Sequence, residues 1–249
     1  MPRFKLTIEY DGSPFVGWQR QDNGPSVQGA LESAARGYCQ VDVLVQGAGR
    51  TDAGVHALGQ VAHLDLPRDD RPEVVANALN AHLRPHPIAV LKAEKVGDDF
   101  HARFSAIERA YVYRIVNRRA PAVLEINHAW WVAHELNASA MHEAAQVLVG
   151  RHDFSSFRAA ECQADSPVKT LDEIAVTQEG DVIKVTTRAR SFLHHQVRNF
   201  VGTLKFVGEG KWTKADVKQA LEARDRSAAG PTAPPDGLYL THVCYPQVP

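Results

Sequence analysis

Phe4, Leu6, Ile8 and Tyr10 alternate with Arg3, Lys5, Thr7 and Glu9. A period of two is the signature of a half-buried β-strand. Asp11-Gly12-Ser13-Pro14 closes it as a turn. Ser26 then stands as an N-cap before a helical face of Val27, Ala30, Leu31, Ala34, Ala35 and Tyr38. Val41 to Val45 and Leu58 to Leu66 read as a pair of strands around a glycine-punctuated segment. Pro72 sits in the first turn of a second helix, with Val75, Ala78, Leu79 and Leu83 on its apolar face. Ile88 to Val96 supply another strand. The resulting order, β-α-β-β-α-β, is that of a ferredoxin-like unit, whose sheet leaves one face open.

The remainder repeats these ingredients. Strands are expected at 109–117, 128–134, 170–178 and 181–190, helices at 138–149, 192–207 and Lys214 to Ala223, and a closing strand at Gly237 to Tyr245. Asp99-Phe100-His101-Ala102-Arg103-Phe104 faintly echoes Asp153-Phe154-Ser155-Ser156-Phe157-Arg158, as two related halves would. The expected division is 1–105 and 106–249. No low-complexity linker separates these parts, so a continuous interface is expected.

With 249 residues, 44% hydrophobic and 23% charged, the chain can bury a substantial core and is not disordered. No apolar run approaches the ~18 residues that span a bilayer, and the strand pattern begins at once, so a cytoplasmic protein without a signal peptide is expected. Cys39, Cys162 and Cys244 are widely spaced and form no CxxC, which argues against disulfides and structural zinc. The net charge of −1 conceals an asymmetry. Residues 103–119 carry Arg103, Arg109, Arg114, Arg118 and Arg119 against Glu108 alone; residues 184–214 carry Lys184, Arg188, Arg190, Arg198, Lys205, Lys211 and Lys214 against Glu209 alone. Acids gather at 161–181. Such separation can build a phosphate-attracting surface on a neutral protein; the plainer reading is solvated strand faces.

The densest punctuation is Gly47-Ala48-Gly49-Arg50-Thr51-Asp52-Ala53-Gly54-Val55-His56. It has neither the GxGxxG spacing of a dinucleotide site nor the GK[ST] of a P-loop. Asp52 is either a turn residue bonding nearby N–H groups or a reactive carboxylate on a rigid loop. His56, His63, His194 and His195 lack metal-ligand spacing and read as structural, or one of them as a phosphate contact; a metal-dependent hydrolase using His56 and His63 is the weakest alternative. Arg198, on an otherwise apolar helix, either snorkels to the surface or pairs with a buried carboxylate. Tyr111 and Tyr113 share one strand face, as core or as a platform for an unpaired base.

Taken in chain order, several blocks resemble the TruA-type tRNA pseudouridine synthases. They are Ile8-Glu9-Tyr10-Asp11-Gly12, Gly17-Trp18-Gln19-Arg20-Gln21, Gly49-Arg50-Thr51-Asp52-Ala53-Gly54-Val55-His56-Ala57 and Asp99-Phe100-His101-Ala102-Arg103-Phe104-Ser105-Ala106 followed by Tyr111-Val112-Tyr113. Phe192-Leu193-His194-His195-Gln196-Val197-Arg198-Asn199 and Ala233-Pro234-Pro235-Asp236-Gly237-Leu238-Tyr239-Leu240 complete the series. The resemblance implies an α+β fold of two ferredoxin-like halves, their sheets joined around a central basic cleft. It implies a homodimeric isomerase, free of cofactor and metal, that converts uridine to pseudouridine at positions 38, 39 and 40 of the tRNA anticodon stem-loop. Asp52 is then the nucleophile, Tyr111 the aromatic on a flipped-out base and Arg198 the partner of the aspartate. Arg50 would help displace the nucleotide, Leu238 would form a pocket wall, and Arg114 would contact RNA. A catalytically silent RNA-binding protein on the same sheets is the other reading.

Overall fold

The computed structural model describes residues 1–246; positions 247–249 of the expected second half lie outside them. The chain begins with β1 (Arg3–Tyr10), α1 (Val27–Cys39), β2 (Gln46–Gly47), β3 (His56–Asp65), α2 (Pro72–Leu83) and β4 (Ile88–Val96). It continues through β5 (Glu108–Asn117), β6 (Trp130–Val132), α3 (Ala138–Ala145), β7 (Gly150–Asp153) and β8 (Val168–Glu179). It ends with β9 (Val182–Ala189), α4 (Gln196–Gly208), α5 (Lys214–Ala223) and β10 (Leu238–Cys244). The fold is thus mixed α+β. Two compact units emerge: Met1–Ile107 with the chain from Tyr239 onward, and Glu108–Leu238. None of the helices among the described residues is long and apolar enough to cross a membrane.

In the first unit β1 lies antiparallel to β3 on one side and β4 on the other, with Leu6 opposite both Ala62 and Ala93. The alternation read from the sequence survives intact: Phe4, Leu6 and Ile8 are fully buried and Tyr10 nearly so. Val27, Leu31, Ala34 and Ala35 of α1 and Val75, Leu79 and Leu83 of α2 join this core. The Ser26 side chain accepts the Gly29 N–H and caps α1 as expected.

Two expectations change. Val41 to Val45 is not a strand, because α1 satisfies its backbone: Glu32 accepts the Val45 N–H and Gln28 donates to the Val45 carbonyl. Pairing is left to Gln46 and Gly47, opposite His63 and Ala62. The closing strand, expected with the second half, runs parallel to β3 in the first unit, with Tyr239 opposite His56 and Leu240 opposite Ala57.

In the second unit β5, β9, β8 and β7 form consecutive antiparallel pairs, and β6 lies parallel to β5. Phe154 and Phe157 pack edge-on against Phe200 of α4, with ring centroids 5.4 and 5.0 Å away. In the echo noted above Phe100, packed against Ala48, Val61 and Ala102, matches the fully buried Phe154, while Phe104, 73% exposed, matches Arg158. α4 begins at Gln196 rather than 192, because His195 adopts φ 62° and breaks the helical path.

Part of the charge separation read from the sequence is offset by ion pairs across this sheet. β8 carries the acidic segment beside β9, so Arg188 reaches Glu173 at 3.0 Å and Glu108 at 3.3 Å. Arg118 pairs with Asp181 at 3.4 Å and Lys184 with Glu179 at 3.5 Å. Arg109 is buried and donates to the Arg190 carbonyl at 2.6 Å.

Candidate active site

Asp52 sits in the turn between β2 and β3, half-buried, and the turn is pinned along its length. Gly17 and Asp52 form an isolated antiparallel bridge. The Trp18 N–H donates to the Thr51 carbonyl at 3.0 Å, and Val55 N–H returns to the Asp52 carbonyl at 3.2 Å. Upstream, Gln60 donates to the Gly49 carbonyl at 3.0 Å. Gly17 is required at its position: its φ is +119°, and a Cβ there would lie 2.7 Å from the Thr51 oxygen. Side chains reinforce the backbone. Tyr10 and Thr51 share a buried hydroxyl–hydroxyl bond of 2.8 Å, and burial pushes the Tyr10 phenol up to about 12, so it stays protonated at neutral pH. The carboxylate is consequently presented from a frame that loses little entropy when a ligand arrives, which is what a nucleophile on a loop requires.

The histidines beside this turn serve the frame. His56 is buried, accepts the Gly12 N–H at Nδ1 and stacks on Tyr239 with centroids 4.6 Å apart. His63 accepts the Ala102 N–H at its own Nδ1. Burial, reinforced by the charges of His101 and Arg3, lowers the His63 pKa to about 4. The hydrolase alternative would need both rings as ligands; among the described residues His56 groups with Asp11 and His128 as possible metal ligands, and His63 with neither.

In the second unit Tyr111 is half-buried on β5, opposite Thr187, with its ring edge-on to Phe192 at 5.2 Å. Tyr113 differs: it is fully buried and donates to the Pro234 carbonyl at 2.7 Å. Burial raises its pKa strongly, Arg198 opposing and Asp236 adding to the effect. Tyr113 is therefore core, and Tyr111 alone of the pair is only half-buried. Arg114 is engaged with Glu125 at 3.1 Å. Arg50, in the first unit, is exposed; Leu238 is buried at the start of β10.

Arg198 lies in the first turn of α4, half-buried. Its Nε donates to the Ala233 carbonyl at 2.8 Å, and the Ala233 N–H donates back to the Arg198 carbonyl at 3.2 Å. The strap carrying Ala233 is itself locked. Arg226 and Thr232 both donate to Asn199 Oδ1, at 3.0 and 2.7 Å, and Gly230 N–H donates to Thr203 Oγ1 at 2.9 Å. Gly202 permits this approach, since a Cβ there would fall 1.7 Å from the Pro231 oxygen. The guanidinium is thus steered by its neighbours rather than snorkelling freely. The residue pattern gave no signal of the Arg226–Asn199–Thr232 triad. The Gly17–Asp52 bridge could have been sought in Gly17-Trp18, a glycine and an aromatic straight after the first turn.

In the first unit a pinned glycine-rich turn carries Asp52; in the second, Tyr111 is half-buried and Arg198 is oriented by the Ala233 carbonyl. A family model described as tRNA pseudouridine synthase matches residues 6–105 and 144–246. The chain belongs to this family, as a TruA-type member, and is an isomerase. It is 66% identical over 246 residues to the tRNA pseudouridine synthase A of Rhodospirillum rubrum, covering 99% of this chain and 88% of that protein. It is 64% identical over 245 residues to the protein of that name from Afipia carboxidovorans, covering 98% and 100%.

Proposed function

We propose that this chain converts uridine to pseudouridine at positions 38, 39 and 40 of the tRNA anticodon stem-loop, working as a cytoplasmic homodimer without cofactor or metal. The observation that supports it most is the construction of the Asp52 turn, whose backbone is pinned between two strands. Both units would be ferredoxin-like, a reading supported in the first by the strand order β4-β1-β3-β2 with α1 and α2 as crossovers.

The reaction breaks the N1–C1′ bond, rotates the uracil, joins C5 to C1′ and removes the C5 proton, so no atoms are gained or lost. Asp52 is the nucleophile, adding at sugar C1′, as a retaining glycosidase carboxylate does, or at ring C6. Either way the uridine must leave its stack, at a cost of a few kcal/mol. Arg50, exposed on the same turn, helps displace it. Tyr111 packs on the freed base, and Leu238 walls the pocket that stops the base diffusing away. Arg198 orients the Asp52 carboxylate; its own geometry is fixed by Ala233. Arg114 contributes to the RNA surface beside its Glu125 partner.

Incubation with unmodified tRNA bearing uridines at 38–40, followed by carbodiimide-dependent primer stops, tests this. Stops at those positions are expected with the wild type and none with Asp52→Asn. Absence of stops with the wild type, or undiminished stops with the variant, refutes it.

A further inference from the structure

Phe104 lies in a segment to which the reaction assigns no task, and its ring is 73% exposed. A solitary surface apolar residue is unremarkable; this one is held rigid. The turn 101–105 closes on itself, His101 N–H donating to Ser105 Oγ and Ser105 N–H to the His101 carbonyl, both at 2.9 Å. His101 Nδ1 accepts the N–H groups of Arg103 at 3.1 Å and Phe104 at 3.4 Å. That fixes the proton on Nε2, which donates to Gln46 Oε1 at 3.0 Å. Ala102 is clamped from both sides, its N–H on His63 and its carbonyl on the Tyr245 hydroxyl. Burial keeps both histidine pKa values low, so these acceptors persist at neutral pH.

The side chains above this base form a stack. The imidazole of His101 lies against the Phe104 ring at 4.4 Å, and the Arg103 guanidinium sits over it at 5.8 Å. A fixed, exposed aromatic beside a cation matches the chemistry that binds unpaired nucleobases, because every base offers a π-face and every nucleotide a phosphate. Gln46, which holds His101, also opens the segment leading to Asp52.

We propose that Phe104, flanked by Arg103, is a stacking platform for an unpaired base of the tRNA substrate; this rests on the reading of the chain as acting on the anticodon arm. Filter binding of an unmodified tRNA transcript to the full-length protein tests it with Phe104→Ala, Phe104→Leu and Phe104→Trp. Stacking predicts that Phe104→Ala raises Kd about ten- to a hundred-fold, that Trp restores binding and that Leu does not. An exposed ring leaves the thermal midpoint in place, separating binding from folding. Unchanged Kd for Phe104→Ala, or full rescue by Leu, overturns the proposal. So does a change in sedimentation with RNA affinity intact, which would assign the ring to a contact between copies of the chain. If the wild type binds tRNA through Phe104 but forms no pseudouridine, the catalytic reading alone falls.

Discussion

Mild acid should weaken this protein through one buried ring. His63 is 2% exposed, and its surroundings lower its pKa from 6.5 to about 4. Above pH 6.5 the imidazole is neutral in folded and unfolded chains alike, and stability is complete. As pH falls below that value the unfolded chain binds a proton that the folded one refuses, so stability drops until the folded ring also titrates near pH 4. At 1.36 kcal/mol per tenfold difference in proton affinity, the full loss is roughly 3 kcal/mol, with about 2 kcal/mol gone by pH 5. Against a typical stability of ~5–15 kcal/mol, that is measurable. Urea unfolding followed by circular dichroism at pH 7.5, 6, 5 and 4.5 would read it as a falling midpoint at constant slope. Asp65 and Glu94 have lowered pKa values, so their contributions are lost at the acid end of this range and below. The control is His63→Asn, whose Oδ1 can still accept the Ala102 N–H. It should start less stable and lose much less on acidification, its residual dependence belonging largely to His101, also shifted down by burial. Equal losses in wild type and variant between pH 7.5 and 5 would refute the reasoning.

Two further substitutions probe the frames around Asp52 and Arg198. Gly17→Ala forces a side chain into φ +119° and against the Thr51 oxygen; strain of ~1–3 kcal/mol should displace the turn, lowering the single-turnover rate on the order of 10- to 100-fold while filter binding shows tRNA affinity retained. Gly202→Ala sets a Cβ on the Pro231 oxygen and should cost on the order of 3 kcal/mol; an unaltered thermal midpoint would mean that the strap does not pack as described.

Much of the first unit was legible because its signals are local. Alternation at Phe4–Tyr10, the Ser26 cap and Pro72 each act within a few residues, and each element formed where those signals put it. Val41–Val45 misled because its strand pattern was overruled by Gln28 and Glu32, side chains more than a turn of helix away that no period reveals. The candidate residues stood out by type and company, Asp52 among glycines and Arg198 among apolar neighbours. Their orientation did not, since the Gly17 bridge and the Ala233 contact join segments about 35 positions apart.

Composition and order along the chain determined the α+β class, the family and the candidate carboxylate at Asp52. The folded arrangement alone decided that acids of one segment pair with cations of its neighbour, that Tyr113 is core while Tyr111 is half-buried, and that Phe104 faces solvent while Phe157 does not. Periodicity and capping are properties of neighbouring residues and survive in a linear string; ion pairs, burial and the direction of a ring depend on which distant strand lies alongside, and only folding supplies that neighbour.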